Sequence, residues 1–277
     1  MRPLTEQTIL ITGATDGLGR ALALELAAKG ARLLVHGRDD GRGSATLAEI
    51  RRQTGNEKLR WYRADLSDLV QVRELAEEVR RNCDRLDALV NNAGIGTTVP
   101  GGGRRQESVQ GHELRFAVNY LAGFLLTRLL QPLLITSAPA RVINVASAGQ
   151  APLDFDDVML TKDYSGMQAY CQSKLAQIMF TFDLAEMLAD EGVTANALHP
   201  ATYMPTKIVA HPISSIADGV HATARLIIAP ELEKTTGRYY NGTRQARADE
   251  QAYDALARKQ LRELSERLVG AFAPSPS

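Results

Sequence analysis

Short apolar runs alternate along the chain with longer stretches whose apolar residues recur every three to four positions. TILIT (8–12), ARLLVHG (31–37), KLRWYRA (58–64), DALVN (87–91), RVINVA (141–146), VTANALH (193–199) and GRYYNG (237–242) read as strands. Between them lie helical patterns at LGRALALELAAKG (18–30), 42–54, 69–81, 108–135 (one or two helices), a segment opening at Tyr170, 216–229 and 250–269. Several strands are apolar throughout, as in a parallel sheet covered by helices on both faces. The pattern predicts one α/β domain over 1–277, a doubly wound parallel sheet of about seven strands flanked by helices. Within it we expect a core at 7–200, a substrate-side loop and helices at 201–236, and a loose tail at 271–277. A TIM barrel fits less well, because the glycine-rich strand-to-helix turn occurs only after the first strand.

Composition narrows the classes. Hydrophobic residues make up 44% of the 277, enough for a sizeable core. Acidic and basic residues balance at 32 each, so charge gives no ground for a nucleic-acid or anionic-membrane partner. We read no apolar run of bilayer-spanning length, and the strand pattern begins too early for a signal peptide. Only Cys83 and Cys171 are present, which fits a reducing, cytoplasmic setting. His36, His112, His199, His211 and His221 are scattered outside metal-ligand spacing, and no metal site is expected. Ser147 lies in no G-x-S-x-G elbow, which argues against a hydrolase.

Two motifs carry candidate chemistry. TGATDGLGRA (12–21) sets Gly13, Gly17 and Gly19 where the first strand turns into a helix, a place for backbone amides to meet an anion. That is the Rossmann-type dinucleotide turn; a plain turn with a helix cap is the duller reading. The second strand ends in His36-Gly37-Arg38-Asp39. A free arginine there favours a 2′-phosphate, so NADP is expected over NAD, with Asp39 read as a cap for the next helix. Asp16 inside the turn opposes this unless its carboxylate faces backbone amides. The second motif is YCQSK (170–174). Tyr170 and Lys174 share a helical face, and a lysine in an apolar helix needs compensation. A snorkelling lysine beside a core tyrosine is the alternative.

With TGATDGLG (12–19), ADL (64–66), NNAG (91–94), the Asn of FAVNYL (116–121), INVAS (143–147) and YCQSK in this order, the chain resembles the short-chain dehydrogenase/reductase family over roughly 7–269. The 22-residue insert between Ser147 and Tyr170, AYCQSK and the His-Pro at 199–200 are most similar to its retinol-dehydrogenase-like and WW-domain oxidoreductase-like branch. Neither a WW domain nor a membrane anchor is read here. The resemblance implies that Asn119, Ser147, Tyr170 and Lys174 are catalytic. It implies cofactor contacts from Gly13, Thr15, Asp16, Gly17, Leu18, Gly19, Arg38, Asp65, Leu66, Asn92, Ala93, Gly94, Tyr170, Lys174, Pro200, Tyr203 and Thr206, with Asn91 holding the sheet. In HPATYMPT (199–206), Ala201 and Pro205 depart from the family pattern around Thr206.

The chemistry implied is reversible reduction of a carbonyl. Tyr170 would supply the proton, Lys174 would favour its phenolate, and Ser147 would bond the substrate oxygen. Expected cleft walls at 95–104, 148–160 and 201–215 contain Val99, Pro152, Leu153, Phe155, Tyr203, Met204, Ile208 and Val209. Nearby cations are Arg104, Arg105, Lys162 and Lys207, and His199 is read as packing beside the cleft. This suits a small hydrophobic ketone, aldehyde or alcohol. The apolar girth of the Tyr170 helix suggests a homodimer. The competing class is a catalytically idle NADP(H)-binding or regulatory module.

Overall fold

The computed structural model describes residues 2–97, 104–202, 204 and 214–273. Among these, eight strands form one sheet in the order β3-β2-β1-β4-β5-β6-β7-β8. They are β1 Thr8–Ile11, β2 Arg32–Gly37, β3 Leu59–Arg63, β4 Ala88–Asn91, β5 Ala140–Val145, β6 Val193–His199, β7 Arg238–Asn241 and β8 Arg244–Ala246. The first seven run parallel, as the sequence pattern predicts. β8 is an antiparallel addition beside β7. Its three residues, Arg244, Gln245 and Ala246, are too few and too polar to show a strand period.

Strand residues alternate between two apolar layers. Ile9, Ile11, Leu33 and Val35 face α1 (Gly17–Ala28), α2 (Asp40–Thr54) and α6 (Ile216–Ile228). Leu10, Leu34, Leu89 and Val142 face α3 (Leu69–Asn82), α4 (Ala122–Thr136), α5 (Gly166–Met187) and α7 (Ala255–Val269). The chain order reverses between β1 and β4, the switch point at which open α/β sheets place a ligand crevice outside the carboxyl ends of the strands.

Helix ends follow local chemistry. Asp39 caps α2 through the Arg42 amide, as expected, and Gly55 closes it in the left-handed region at φ 68°. α5 begins four residues before Tyr170, because Ser165 accepts from the Gln168 amide and sets the start at Gly166. Phe116–Leu121 forms a wide, π-type helical turn leading into α4. The stretch Phe116–Thr136 is, contrary to the reading from sequence, long and apolar enough to cross a bilayer. However, 61% of its most apolar window is buried in the fold, so the core accounts for its composition.

Residues Ala169 to Ala185 of α5 are buried almost without interruption. Part of that cover is α7 of the same chain. Asp183 on α5 receives Arg258 at 2.9 Å and Arg262 at 2.6 Å, and Tyr120 meets Ser265 at 2.6 Å. The girth of α5 therefore gives no ground of its own for a second subunit.

Candidate active site

The glycine turn is held from three sides. Thr12 Oγ1 accepts from the amides of Asn92 and Ala93, each at 3.0 Å, and Asn92 Nδ2 donates to the Thr12 carbonyl at 2.7 Å. These bonds lock the carboxyl ends of β1 and β4 together. Gly13 sits at φ 66°, and a Cβ there would come within 2.9 Å of Ala93 Cα, so both conformation and space demand glycine. The third side is His36. The Gly13 amide donates to its Nδ1 at 3.2 Å, which puts the ring proton on Nε2, 3.2 Å from the Ala64 carbonyl. Burial pushes the imidazole down to about 4, so the ring is neutral at physiological pH and can accept from the turn.

Asp16 does what the cofactor reading required. Its carboxylate accepts from the Gly17 amide at 2.9 Å and from Arg42 Nη2 at 2.8 Å. Arg42 also reaches the Thr15 carbonyl at 3.3 Å. Sequence reading missed Arg42, which lies in the first turn of α2, four residues after the exposed Arg38. Trp61 packs beside this corner: a Cβ on Gly37 or Gly43 would clash with its ring. Its indole donates to Asp40 at 2.8 Å.

Other expected cofactor residues are placed unevenly. Asp65 Oδ1 takes the Ser67 amide and hydroxyl at the end of β3. Leu66 and Leu18 are largely buried in the two apolar layers, which leaves each little surface for a ligand. Pro200 is buried after β6. Tyr203 and Thr206 lie outside the described residues, as do Val99, Lys207, Ile208 and Val209.

Across the crevice, α5 presents Tyr170 and Lys174 on one face, with Nζ 5.8 Å from the phenol ring centroid. Lys174 is 5% exposed. Its Nζ donates to the Val145 carbonyl and to Gln177 Oε1, both at 2.9 Å, and burial pushes it down to about 7. It is a fixed, buried group, not a snorkelling one. A Cβ on Gly149 would stand 3.5 Å from Ser147 Oγ and 3.8 Å from Tyr170 Cε1. Ser147 and Tyr170 thus converge on one small space. Tyr239 on β7 secures the Ser147 segment by donating to its carbonyl at 2.9 Å. Cys171 Sγ points at the same glycine, 3.4 Å from that position.

Asn119 closes the floor. It accepts from the Ile95 amide at 2.8 Å and donates to the Ile95 carbonyl and Ser173 Oγ. It therefore brackets the loop after β4 instead of bonding its own helix. A Cβ on Gly94 would project to 3.3 Å from Asn119 Oδ1 and 3.5 Å from Lys174 Nζ. The missing side chain leaves a cradle beside the lysine that suits a nicotinamide ribose.

The insert from 148 to 165 is tied down. Arg115, fully buried, donates to the Gly96 and Thr97 carbonyls and to Tyr164, and faces the buried Glu113 at 3.7 Å. Gln251 bonds both backbone groups of Leu153, which turns into the core rather than the cleft. Arg105 is held by the Met159 carbonyl and Glu107, so it is no free cation of the cleft. His199 bonds Thr202 at 3.1 Å, consistent with packing. No metal-binding cluster occurs among the described residues.

The family model for short chain dehydrogenases matches residues 7–213. Human retinol dehydrogenase 13 is 36% identical over 97% of this chain and 86% of its own length. Human retinol dehydrogenase 14 is 33% identical over 95% and 86%. A structure of an uncharacterised protein from Mycobacterium paratuberculosis superposes with a TM-score of 0.77 at 29% identity, covering 98% of this chain and 96% of that one. The RhlG/NADP active-site complex of Pseudomonas aeruginosa gives 0.70 at 25%, covering 87% and 97%. The chain is an oxidoreductase of the short-chain dehydrogenase/reductase family, in its retinol-dehydrogenase-like branch, and works with a nicotinamide cofactor.

Proposed function

We propose that this chain is an NADP(H)-dependent enzyme that interconverts a hydrophobic ketone or aldehyde and its alcohol. The observation that carries the reading is the convergence of Tyr170 and Ser147 on one space, with the buried Lys174 behind the phenol. Gly13, Thr15, Gly17, Gly19, Asn92, Ala93 and Gly94 would hold the cofactor along the crevice, with Lys174 at its ribose. When bound, the reduced nicotinamide supplies hydride to the carbonyl carbon. Tyr170 Oη gives its proton to the substrate oxygen. A free phenol, with a pKa of about 10, is poorly matched to that task at neutral pH, and the Lys174 ammonium stabilises the phenolate left behind. Ser147 Oγ donates to the same oxygen as charge grows on it. In the oxidative direction Tyr170 is the base.

NADP over NAD follows from Arg38 and Arg42 together. Arg42 neutralises Asp16, whose carboxylate would otherwise repel a 2′-phosphate, and Arg38 remains exposed at the end of β2. The expected homodimer draws no support from the girth of α5, part of which α7 of the same chain covers. The relatives are named for retinol, so retinal is the first aldehyde to test, followed by aryl ketones and short aldehydes.

The test follows NADPH absorbance with that panel. Wild type should consume NADPH faster than NADH. Tyr170→Phe should keep cofactor affinity and lose roughly 10²-fold or more in turnover. NADPH binding without consumption across the panel would favour the idle binding module instead.

A further inference from the structure

Lys174 places its ammonium 5.8 Å from the Tyr170 ring centroid, so whatever fixes that ammonium also shapes the field at the phenol. We propose that Gln177 is the positioning residue that aims the Lys174 ammonium at Tyr170. The proposal rests on the oxidoreductase reading above.

An ammonium has three donors. Two are spent on acceptors at the inner side: Val145 O of β5 and Gln177 Oε1, each 2.9 Å from Nζ. The third is left for the cradle bounded by Gly94, Asn119 and Tyr170. Gln177 is itself 4% exposed and lies three residues along the same helical face. Its place is pinned through a buried ladder. The Gln177 carbonyl accepts from Thr181 Oγ1 at 2.7 Å, and that hydroxyl accepts from Asn144 Nδ2 at 2.8 Å. Asn144 Oδ1 accepts from Asn91 Nδ2 at 2.8 Å, and Asn91 also donates to Thr127 at 3.0 Å. The ladder sets the register of α5 against β4 and β5, and with it the position of Nζ.

The amide suits the task better than a carboxylate. A glutamate at 177 would hold the ammonium and also cancel its field at Tyr170. A neutral acceptor fixes the charge and leaves it effective. Titratable neighbours are few. Tyr170 and Cys171 share the helix, Tyr239 approaches Tyr170 from β7, and the turn before α4 and the loop after β5 present the neutral Asn119 and Ser147. Burial is the force driving Lys174 toward the neutral amine, so an acceptor that favours the ammonium matters.

The test reads Lys174 directly in the full-length protein without ligand. Lysine labelled at 13Cε is titrated by NMR, with Lys174→Met assigning the resonance. Gln177→Leu should lower the Lys174 midpoint by roughly one to two pH units, the worth of a hydrogen bond to a buried ion. Gln177→Glu, nearly isosteric and a safeguard should the leucine variant not fold, should raise it. In alcohol oxidation, Gln177→Leu loses the cation that stabilises the phenolate, so the acidic limb of the rate profile should move to higher pH. An unchanged midpoint in Gln177→Leu, or leucine and glutamate variants moving it the same way, overturns the proposal. A wild type that turned over no carbonyl while the midpoints still moved in opposite directions would sink the proposed carbonyl–alcohol activity and leave the Gln177 contact standing.

Discussion

His36 and Arg42 brace the glycine turn without belonging to either motif. His36→Ala would leave the Gly13 amide without its acceptor and unfasten the turn from the Ala64 carbonyl. An unsatisfied buried donor costs about 1–3 kcal/mol, so NADPH affinity should fall roughly tenfold or more. The lone tryptophan, Trp61, sits beside this corner, and its fluorescence reports binding without turnover. Unchanged affinity would remove His36 from the turn's support. Arg42→Ala removes the ion pair that offsets the Asp16 charge. NADPH affinity should then drop by about tenfold while NADH affinity changes little, because only the former carries the phosphate that the carboxylate repels. Equal losses for both would mean that Arg42 merely braces the helix.

Among the elements, the segment 148–165 joins β5 to α5 beside the expected cleft. It is a fastened strap: Tyr164 reaches the buried Arg115, which also holds the Gly96 and Thr97 carbonyls after β4. One cluster thereby sets two walls of the cleft. Tyr164→Phe keeps the ring and removes the hydroxyl that Arg115 and Glu113 share. Stability should fall by about 1–2 kcal/mol in denaturant unfolding. The KM for the carbonyl substrate should rise several-fold while NADPH affinity holds, since the glycine turn lies on another part of the crevice. A change in cofactor affinity with an unchanged KM would contradict this placement of the strap.

At the scale of the molecule, α7 and α5 depend on a buried charge. Asp183 has a side chain 6% exposed and answers two arginines of α7, Arg258 and Arg262. Asp183→Ala removes the acceptor that Arg258 and Arg262 share; Arg258 keeps Glu186 and Arg262 is partly exposed, so the loss should be about 1–3 kcal/mol, the worth of hydrogen bonds to a charged group. The thermal midpoint should drop by several degrees, with α7 the first element to lose amide protection in hydrogen exchange. Light scattering of the wild type should give the mass of one chain. A stable dimer would show that another face of the molecule carries the contact.

Much of this architecture follows from the linear sequence, because periods of two and of 3.6 are local properties. Seven of the strands, the order of helices and the glycine turn are readable for that reason, and the Tyr170–Lys174 pairing follows from helical geometry alone. β8 is not, being three residues held by a neighbour. Nor are the groups that make the motifs work. Val145 meets Lys174 across 29 positions, His36 meets Gly13 across 23, and Arg42 meets Asp16 across 26. Each contact exists because the sheet places β2, β1, β4 and β5 side by side, and no local pattern encodes that order. The same holds for α7 on α5, where Arg258 and Asp183 are 75 residues apart. Local periodicity determined which residues could share a face; the tertiary structure decided which partners those faces meet, because a buried charge or amide is satisfied only by what the packed fold brings within hydrogen-bond reach.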